Sequence, residues 1–281
     1  MAREISSISR GPLKSELKRK LIVNLLVATV RGVITLSSRG APRGVNLTIY
    51  NYKYRFFDFY TFRILFAEIF IKLDYYVVLP QRSPIILDCG SNVGASVAFF
   101  KMLYPSARIT AFEPDPEAFS LLRENVSNNG LLDVRVLNLA VSSAEGELEF
   151  FYDTAQPGSL RMSSIMERVP TSTRTSRKVP AARLSAYITD QIDLLKLDVE
   201  GSELGVVQEL ASAGKLPLIS RMAIEYHHHI SGAKSSLAEL CGLLESHGFD
   251  YQIQSSLGRP IPQGVFQDIM LYAYRGDAAT Q

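Results

Sequence analysis

The sequence predicts an α/β protein with a mostly parallel sheet, helices on both faces and an antiparallel last strand. Three observations carry that expectation. From residue 85 onward short apolar blocks alternate with segments of helical period, and repeated strand–helix alternation demands crossover connections within a parallel sheet. The last two strand-like blocks are joined by "SSLGRPIPQG", with no helix between them, so they pair antiparallel. Hydrophobic residues make up 47% and charged residues 21% of 281 residues, enough apolar surface to fill one large core.

The elements follow in order. "IILDC" is a buried strand and "VGASVAFFKMLY" a helix that ends before Pro105. "ARITAFEP" is a second strand, stopped by Pro114. "DPEAFSLLRENVSNNG" is a helix capped by Asp115, with Pro116 at its first position and Gly130 past its end. "DVRVLNLAV" reads as one third strand, and "ELEFFYD" alternates as an added hairpin or edge strand. Residues 154–178 are rich in Ser, Thr and Arg, lack a period and are long for an internal loop, so they read as a lid, a binding loop or a disordered segment. "IDLLKLDVE" is the next strand, "SELGVVQELASAG" a helix closed by Gly214, "LISRMAIEYHH" a strand and "SSLAELCGLLESHG" a helix. "FDYQIQ" and "VFQDIMLYAY" close the chain. Residues 85–281 are thus one domain, and residues 45–84 a lead-in segment that packs on it.

Residues 1–44 stand apart. They hold nine Lys/Arg and two Asp/Glu, so +7, which leaves 21 basic against 26 acidic residues, or −5, for the rest. "LIVNLLVATV", between Lys20 and Arg31, is ten residues long and too short to span a bilayer. It reads as an N-terminal helical extension on the body, with peripheral membrane contact through residues 13–36 as the second reading. The polar opening residues argue against a leader peptide. The two cysteines, Cys89 and Cys241, argue against a disulfide framework and suit a reducing, cytoplasmic setting.

In open parallel sheets ligands bind beyond the carboxyl ends of the strands. Polar residues stand at five such ends: Asp88 to Gly94, Glu113, Asn138 to Val141, Asp198 to Gly201 and Glu225 to His229. Gly90 and Gly94 let backbone approach a ligand, but their G-x-x-x-G spacing departs from the G-x-G-x-x-G of pyrophosphate binders. A ligand without phosphates fits better, such as S-adenosylmethionine, whose amino group Asp88 would meet directly or through water. Glu113 would accept bonds from both ribose hydroxyls. A ligand-free glycine turn and a solvated strand-end carboxylate are the plain alternatives.

The blocks "ILDCGSNVGASVAFF", "AFEPDPEAFSLLRENVSNN", "VLNLAVSS", "LLKLDVEGSELGVVQE" and "MAIEYHH" resemble the successive blocks of the FkbM-type methyltransferases. The resemblance covers roughly residues 57–274, including "FAEIFIKLDY", and "KLDVEG" is its most specific block. It implies a Rossmann-like class I methyltransferase fold with a seven-stranded sheet and S-adenosyl-L-methionine as cofactor. Gly90, Ser91, Asn92 and Gly94 would surround the amino-acid tail, Glu113 the ribose, and Asn138 and Ala140 the adenine. Asp198 would stand by the transferable methyl, Glu200 would face the acceptor, and Glu68 would border the cofactor.

On a strand, Glu225, His227 and His229 share one face. Glu225 would orient His227, and His227 would take the acceptor's proton, with Asp198 or Glu200 as the alternative base. No metal ligand is assigned, although a Glu/His pair with Asp198 or Glu200 is a second reading. The resemblance implies O-methylation of a sugar, glycan or natural-product hydroxyl. It makes residues 154–178 the acceptor-side loop, with Arg161, Arg168, Arg174, Arg177 and Lys178 able to meet an anionic acceptor. An RNA-modifying enzyme is the rival, weakened by the acidic body; DNA has no feature in its favour. The aromatic stretch "YNYKYRFFDFYTFRILF" is core that covers the cofactor cleft or forms a homodimer surface.

Overall fold

The computed structural model describes residues 44–49, 52–153, 174–230, 236–255 and 266–276, with Met166 and Ser172. The basic arm, Arg161, Arg168 and most of the stretch between the last two strands lie outside the described residues.

A hairpin of β1 (Val45–Ile49) and β2 (Tyr52–Phe56) opens the fold. It leads into α1 (Phe59–Phe66), capped by Asp58, whose side chain accepts the Thr61 N–H at 2.7 Å. A single π-helical stretch, Ala67–Lys72, continues it. The core then alternates β3 (Ile85–Cys89), α2 (Ala95–Leu103), β4 (Arg108–Phe112), α3 (Pro116–Asn128) and β5 (Val134–Leu137). After β6 (Ala140–Ser142), β7 (Gly146–Asp153) and β8 (Arg174–Arg183), the alternation resumes with β9 (Leu194–Leu197), α4 (Glu203–Ser212) and β10 (Arg221–His228). It ends with α5 (Leu237–Ser246), β11 (Asp250–Ser255) and β12 (Gln267–Tyr274).

The main sheet has seven strands in the order β11-β12-β10-β9-β3-β4-β5. β5, β4, β3, β9 and β10 pair parallel, whereas β12 runs antiparallel to both β10 and β11. This is the class I methyltransferase arrangement. From β3 the chain builds outward through β4 and β5, then returns to the other side through β9 and β10, so the switch of direction falls between β3 and β9.

Two apolar clusters cover the sheet faces. One holds Ile86, Val97, Phe99 and Ile109 with the lead-in residues Tyr54, Phe56, Phe62, Phe66 and Phe70. The other joins Leu195, Leu197 and Ile224 to α4 and α5 through Val206, Leu210, Leu240 and Leu244. The lead-in segment is therefore core; Phe66 and Phe70 stack at 5.2 Å, and Phe70 meets Phe99 edge-on at 5.4 Å.

Three sequence expectations are corrected here. The third strand divides at Asn138: β5 ends the parallel run, and β6 leaves for a separate three-stranded sheet ordered β6-β8-β7. Asn138 causes the break by donating its amide to the carbonyls of Glu113 (2.8 Å) and Pro114 (2.9 Å). Second, residues 174–178 are no loop, because they begin β8 and pair with β7. Third, His229 does not share a face with Glu225 and His227. Strand β10 ends at His228, and His229 takes a left-handed φ of 56°.

Candidate active site

The carboxyl ends of β3, β4, β9 and β10 open into one cavity of about 1000 Å³. Its floor begins with the turn after β3. Gly90 has φ +84°, and a Cβ there would stand 1.9 Å from the Asp198 carbonyl oxygen, so only glycine lets β3 and β9 approach this closely. At Gly94, φ +88°, a Cβ would meet a Leu122 methyl at 2.7 Å. That glycine starts α2 and lets it pack against α3.

Gly90, Ser91, Asn92, Glu113, Leu139, Ala140 and Val141 line the cavity. Glu113 is 5% exposed and is aimed by backbone: Asn92 N–H donates to one carboxylate oxygen at 2.7 Å, Asp115 N–H to the other at 2.9 Å. Each oxygen keeps a further lone pair for a ligand hydroxyl. Burial pushes its pKa up to about 8, against the pull of those two N–H donors. The donor set and the small residues at positions 90, 91 and 140 fit the polar tail, ribose and flat base of an adenosyl ligand.

Asp88, Gly94 and Asn138 are not on the cavity wall. Asp88 is fully buried; Ser96 donates to one of its oxygens at 2.6 Å, and Lys196 pairs with the other at 3.3 Å. Burial thus closes off the direct contact between Asp88 and a ligand that the sequence suggests, and Asp88 acts instead on the groups that shape the turn.

Lys196, 1% exposed, is the centre of the floor. Its ammonium donates to the carbonyls of Gly90 (2.7 Å) and Cys89 (3.2 Å), reaches Asp198 at 3.4 Å, and lies 4.7 Å from the centre of the Tyr75 ring. Burial alone would lower its pKa, but the carboxylates of Asp88 and Asp198 outweigh it and hold the amine charged. Tyr75 donates its hydroxyl toward both Asp198 (3.1 Å) and Glu225 (2.5 Å). Neither residue has a role in the sequence reading. The signal for Lys196 was available: a lysine inside the apolar run of a central strand needs a charged partner. Nothing local marked Tyr75.

The same cavity is also lined by Glu68, Asp198, Glu200, Glu225, His227 and Asp268. Asp198, Glu200, Glu225 and His227 do converge, and Glu68 shares their cavity. The partner of the imidazole, however, differs from expectation. Nδ1 of His227 is 2.8 Å from Glu203, at the start of α4, and both side chains are 1% exposed. Glu225 bonds Tyr75 instead. Nε2 of His227 faces Glu200 at 3.3 Å, Asp268 at 3.8 Å and Asp198 at 3.9 Å. Asp268 arrives because β12 places it opposite His227 in the antiparallel register. Glu200 is presented by a left-handed turn, φ 59°, that Gly201 continues at 107°. Burial raises Glu225 to about 8, helped by the negative charge of Asp198, and raises Glu68 to about 7.

Residues 88–251, more than half of the 281-residue chain, match the methyltransferase FkbM domain. The chain belongs to the FkbM methyltransferase family. It is an S-adenosylmethionine-dependent methyltransferase. This family member is 28% identical over 217 residues to methyltransferase sdnD of Sordaria araneosa, covering 67% of this chain and 82% of that protein. To the 31-O-demethyl-FK506 methyltransferase FkbM of Streptomyces tacrolimicus it is 28% identical over 218 residues, 66% and 81% of the two chains. The 2-O-methyltransferase NoeI of Sinorhizobium fredii is 30% identical over 145 residues, 46% of this chain and 58% of that one. A crystal structure of methyltransferase FkbM from Methylobacillus flagellatus KT aligns at 18% identity with a TM-score of 0.47. That alignment covers 74% of this chain and 48% of the other, so this chain spans about half its length. No helix among the described residues is long and apolar enough to cross a membrane.

Proposed function

We propose that this FkbM-family methyltransferase methylates a hydroxyl oxygen of a sugar, glycan or natural-product acceptor. One observation carries the reading: Glu113 and the Gly90–Asn92 turn share a single cavity with the proton-accepting group Asp198, Glu200 and His227. Two relatives are named as O-directed enzymes, a 2-O-methyltransferase and a 31-O-demethyl-FK506 methyltransferase.

The residues divide the work. Gly90, Ser91 and Asn92 hold the amino-acid tail, Glu113 accepts the ribose hydroxyls, and Leu139, Ala140 and Val141 lie along the adenine. Asp88 and Gly94 set the turn, and Asn138 sets the bend beside it. Bound S-adenosylmethionine supplies a methyl group already activated on a sulfonium, whose sulfur keeps the bonding pair. The protein's part is to align an acceptor oxygen and exclude water, which is worth about 7–11 kcal/mol in a well-held reaction. The acceptor's proton passes to the carboxylate–imidazole group at the ends of β9 and β10, a gain of about 10²–10⁴-fold. Lys178 pairs with Glu147 at 3.4 Å and Arg177 lies over Tyr152 at 5.5 Å, on the sheet of β6, β7 and β8.

The test supplies methyl-labelled S-adenosylmethionine to the protein with pools of glycans, nucleotide sugars, lipids, RNA and small metabolites. Label on a carbohydrate or alcohol oxygen is expected. Label in RNA overturns the acceptor assignment. Glu113→Gln is expected to weaken cofactor binding by about tenfold, since it replaces an acceptor oxygen by an N–H donor and leaves a ribose hydroxyl without its partner, at about 1–3 kcal/mol. Unchanged affinity in calorimetry removes Glu113 from the ribose.

A further inference from the structure

We propose that Asp198, Glu200 and His227 bind a divalent cation, and that this cation seats the acceptor hydroxyl. The inference rests on the reading that this end of the cavity is the acceptor end. Three observations meet there.

The first is the aim of the imidazole. Glu203 lies behind His227, away from the cavity carboxylates, and is itself held by the Gly201 N–H at 2.8 Å. A carboxylate that accepts the Nδ1–H turns Nε2 toward the cavity carboxylates, the arrangement that carboxylates give to metal-binding histidines. The second is spacing. Two ligands each about 2.1 Å from an ion stand about 3.0 Å apart at right angles and about 4.2 Å apart when opposite. Nε2 lies 3.3 Å from Glu200 and 3.9 Å from Asp198, inside that window, and one oxygen or nitrogen from each of the three falls within 4.8 Å of the others. Asp268, 3.8 Å from Nε2, borders the same point, and with Glu225 and His227 it forms a second candidate set that shares the imidazole.

The third is charge. Five carboxylates line this end, whereas the only Lys or Arg side chains lining the cavity among the described residues are Arg55 and Lys196. Arg55 pairs with Glu124 at 3.2 Å, and Lys196 is engaged with Asp88 and Asp198. One imidazole nitrogen among carboxylate oxygens suits manganese or magnesium. A hydroxyl bound to such an ion is acidified, and its proton passes to a neighbouring carboxylate rather than to Nε2.

The experiment titrates Mn²⁺ into the full chain and follows free Mn²⁺ by electron paramagnetic resonance. One saturable site per chain is expected, weakened at least tenfold by Glu200→Gln and by His227→Ala. Glu203→Gln, which touches no ion, is expected to cost about 10–100-fold in Mn²⁺ affinity. Calorimetry with S-adenosylmethionine on the same variants serves as the folding and cofactor control. Saturable Mn²⁺ binding that the variants leave unchanged overturns the site, as does no saturable binding in a chain that still binds the cofactor. Either result leaves the methyltransferase reading standing; that reading fails only if the wild-type chain does not bind the cofactor.

Discussion

At the scale of single residues, Lys196 joins everything the reaction needs. It ties the carbonyls of the cofactor turn, the Asp88 carboxylate and the Asp198 carboxylate into one buried group. Such a group is held by its completeness: removing one partner of a buried pair costs about 3–5 kcal/mol because the other charge is left uncompensated. Lys196→Met is therefore expected to lower stability by about that much in urea melts. Adding Asp88→Asn, which removes the stranded charge, is expected to restore a measurable part. A double variant no more stable than the single one contradicts the assignment of Asp88 as the ion-pair partner. Asp88 illustrates what a sequence leaves undecided: its place after a buried strand marks a turn, but only the fold shows whether its carboxylate faces a ligand or a lysine.

At the scale of elements, the hairpin and α3 hold the cofactor turn from outside. Asn125 on α3 accepts the Arg55 N–H at 2.8 Å and donates to the carbonyls of Arg55 and Val93, each at 2.9 Å. One side chain thus pins β2 to the turn between Gly90 and Gly94. Asn125→Leu is expected to cost about 2–4 kcal/mol, from three lost bonds and the backbone groups they leave buried. It is also expected to weaken cofactor binding, read by urea melts and calorimetry together; intact affinity in a destabilised variant separates the hairpin from the site. The ends of α3 were legible because capping is local chemistry. Asp115 accepts two backbone N–H bonds, Pro116 opens the helix, and Gly130 takes φ 56°. The alternation of strand and helix was legible for the same reason. Asn125, Glu203 and Tyr75 were not, because each reaches the site through a partner at least 24 positions away. The break at Asn138 was missed because apolar period continues across it while the pairing partners change.

At the scale of the whole molecule, the switch between β3 and β9 gathers acidic groups from distant parts of the chain into one apolar shell. Burial raises Glu113 and Glu225 to about 8, Glu68 to about 7 and Asp74 to about 6. A carboxyl with a raised folded-state pKa holds its proton more tightly when folded than when unfolded. Its stabilising contribution is complete below its unfolded value, near 4.5 for Glu and 3.8 for Asp, and is lost as pH rises through the folded value. The ligand-free protein is therefore expected to be most stable in mild acid and to weaken between about pH 5 and pH 8. At about 1.4 kcal/mol per pH unit for each group that is protonated only in the folded state, the fall over that range is expected to be at least about 3 kcal/mol, or roughly 5–10 °C or more in Tm for a chain of this size. Glu113→Gln, which keeps the shape but cannot ionise, is expected to make the decline shallower. Differential scanning calorimetry from pH 5 to pH 8 reads both curves. A flat or rising wild-type profile would mean that the site's carboxyls are ionised in the folded state without cost, with enough positive charge already among them to offset the burial.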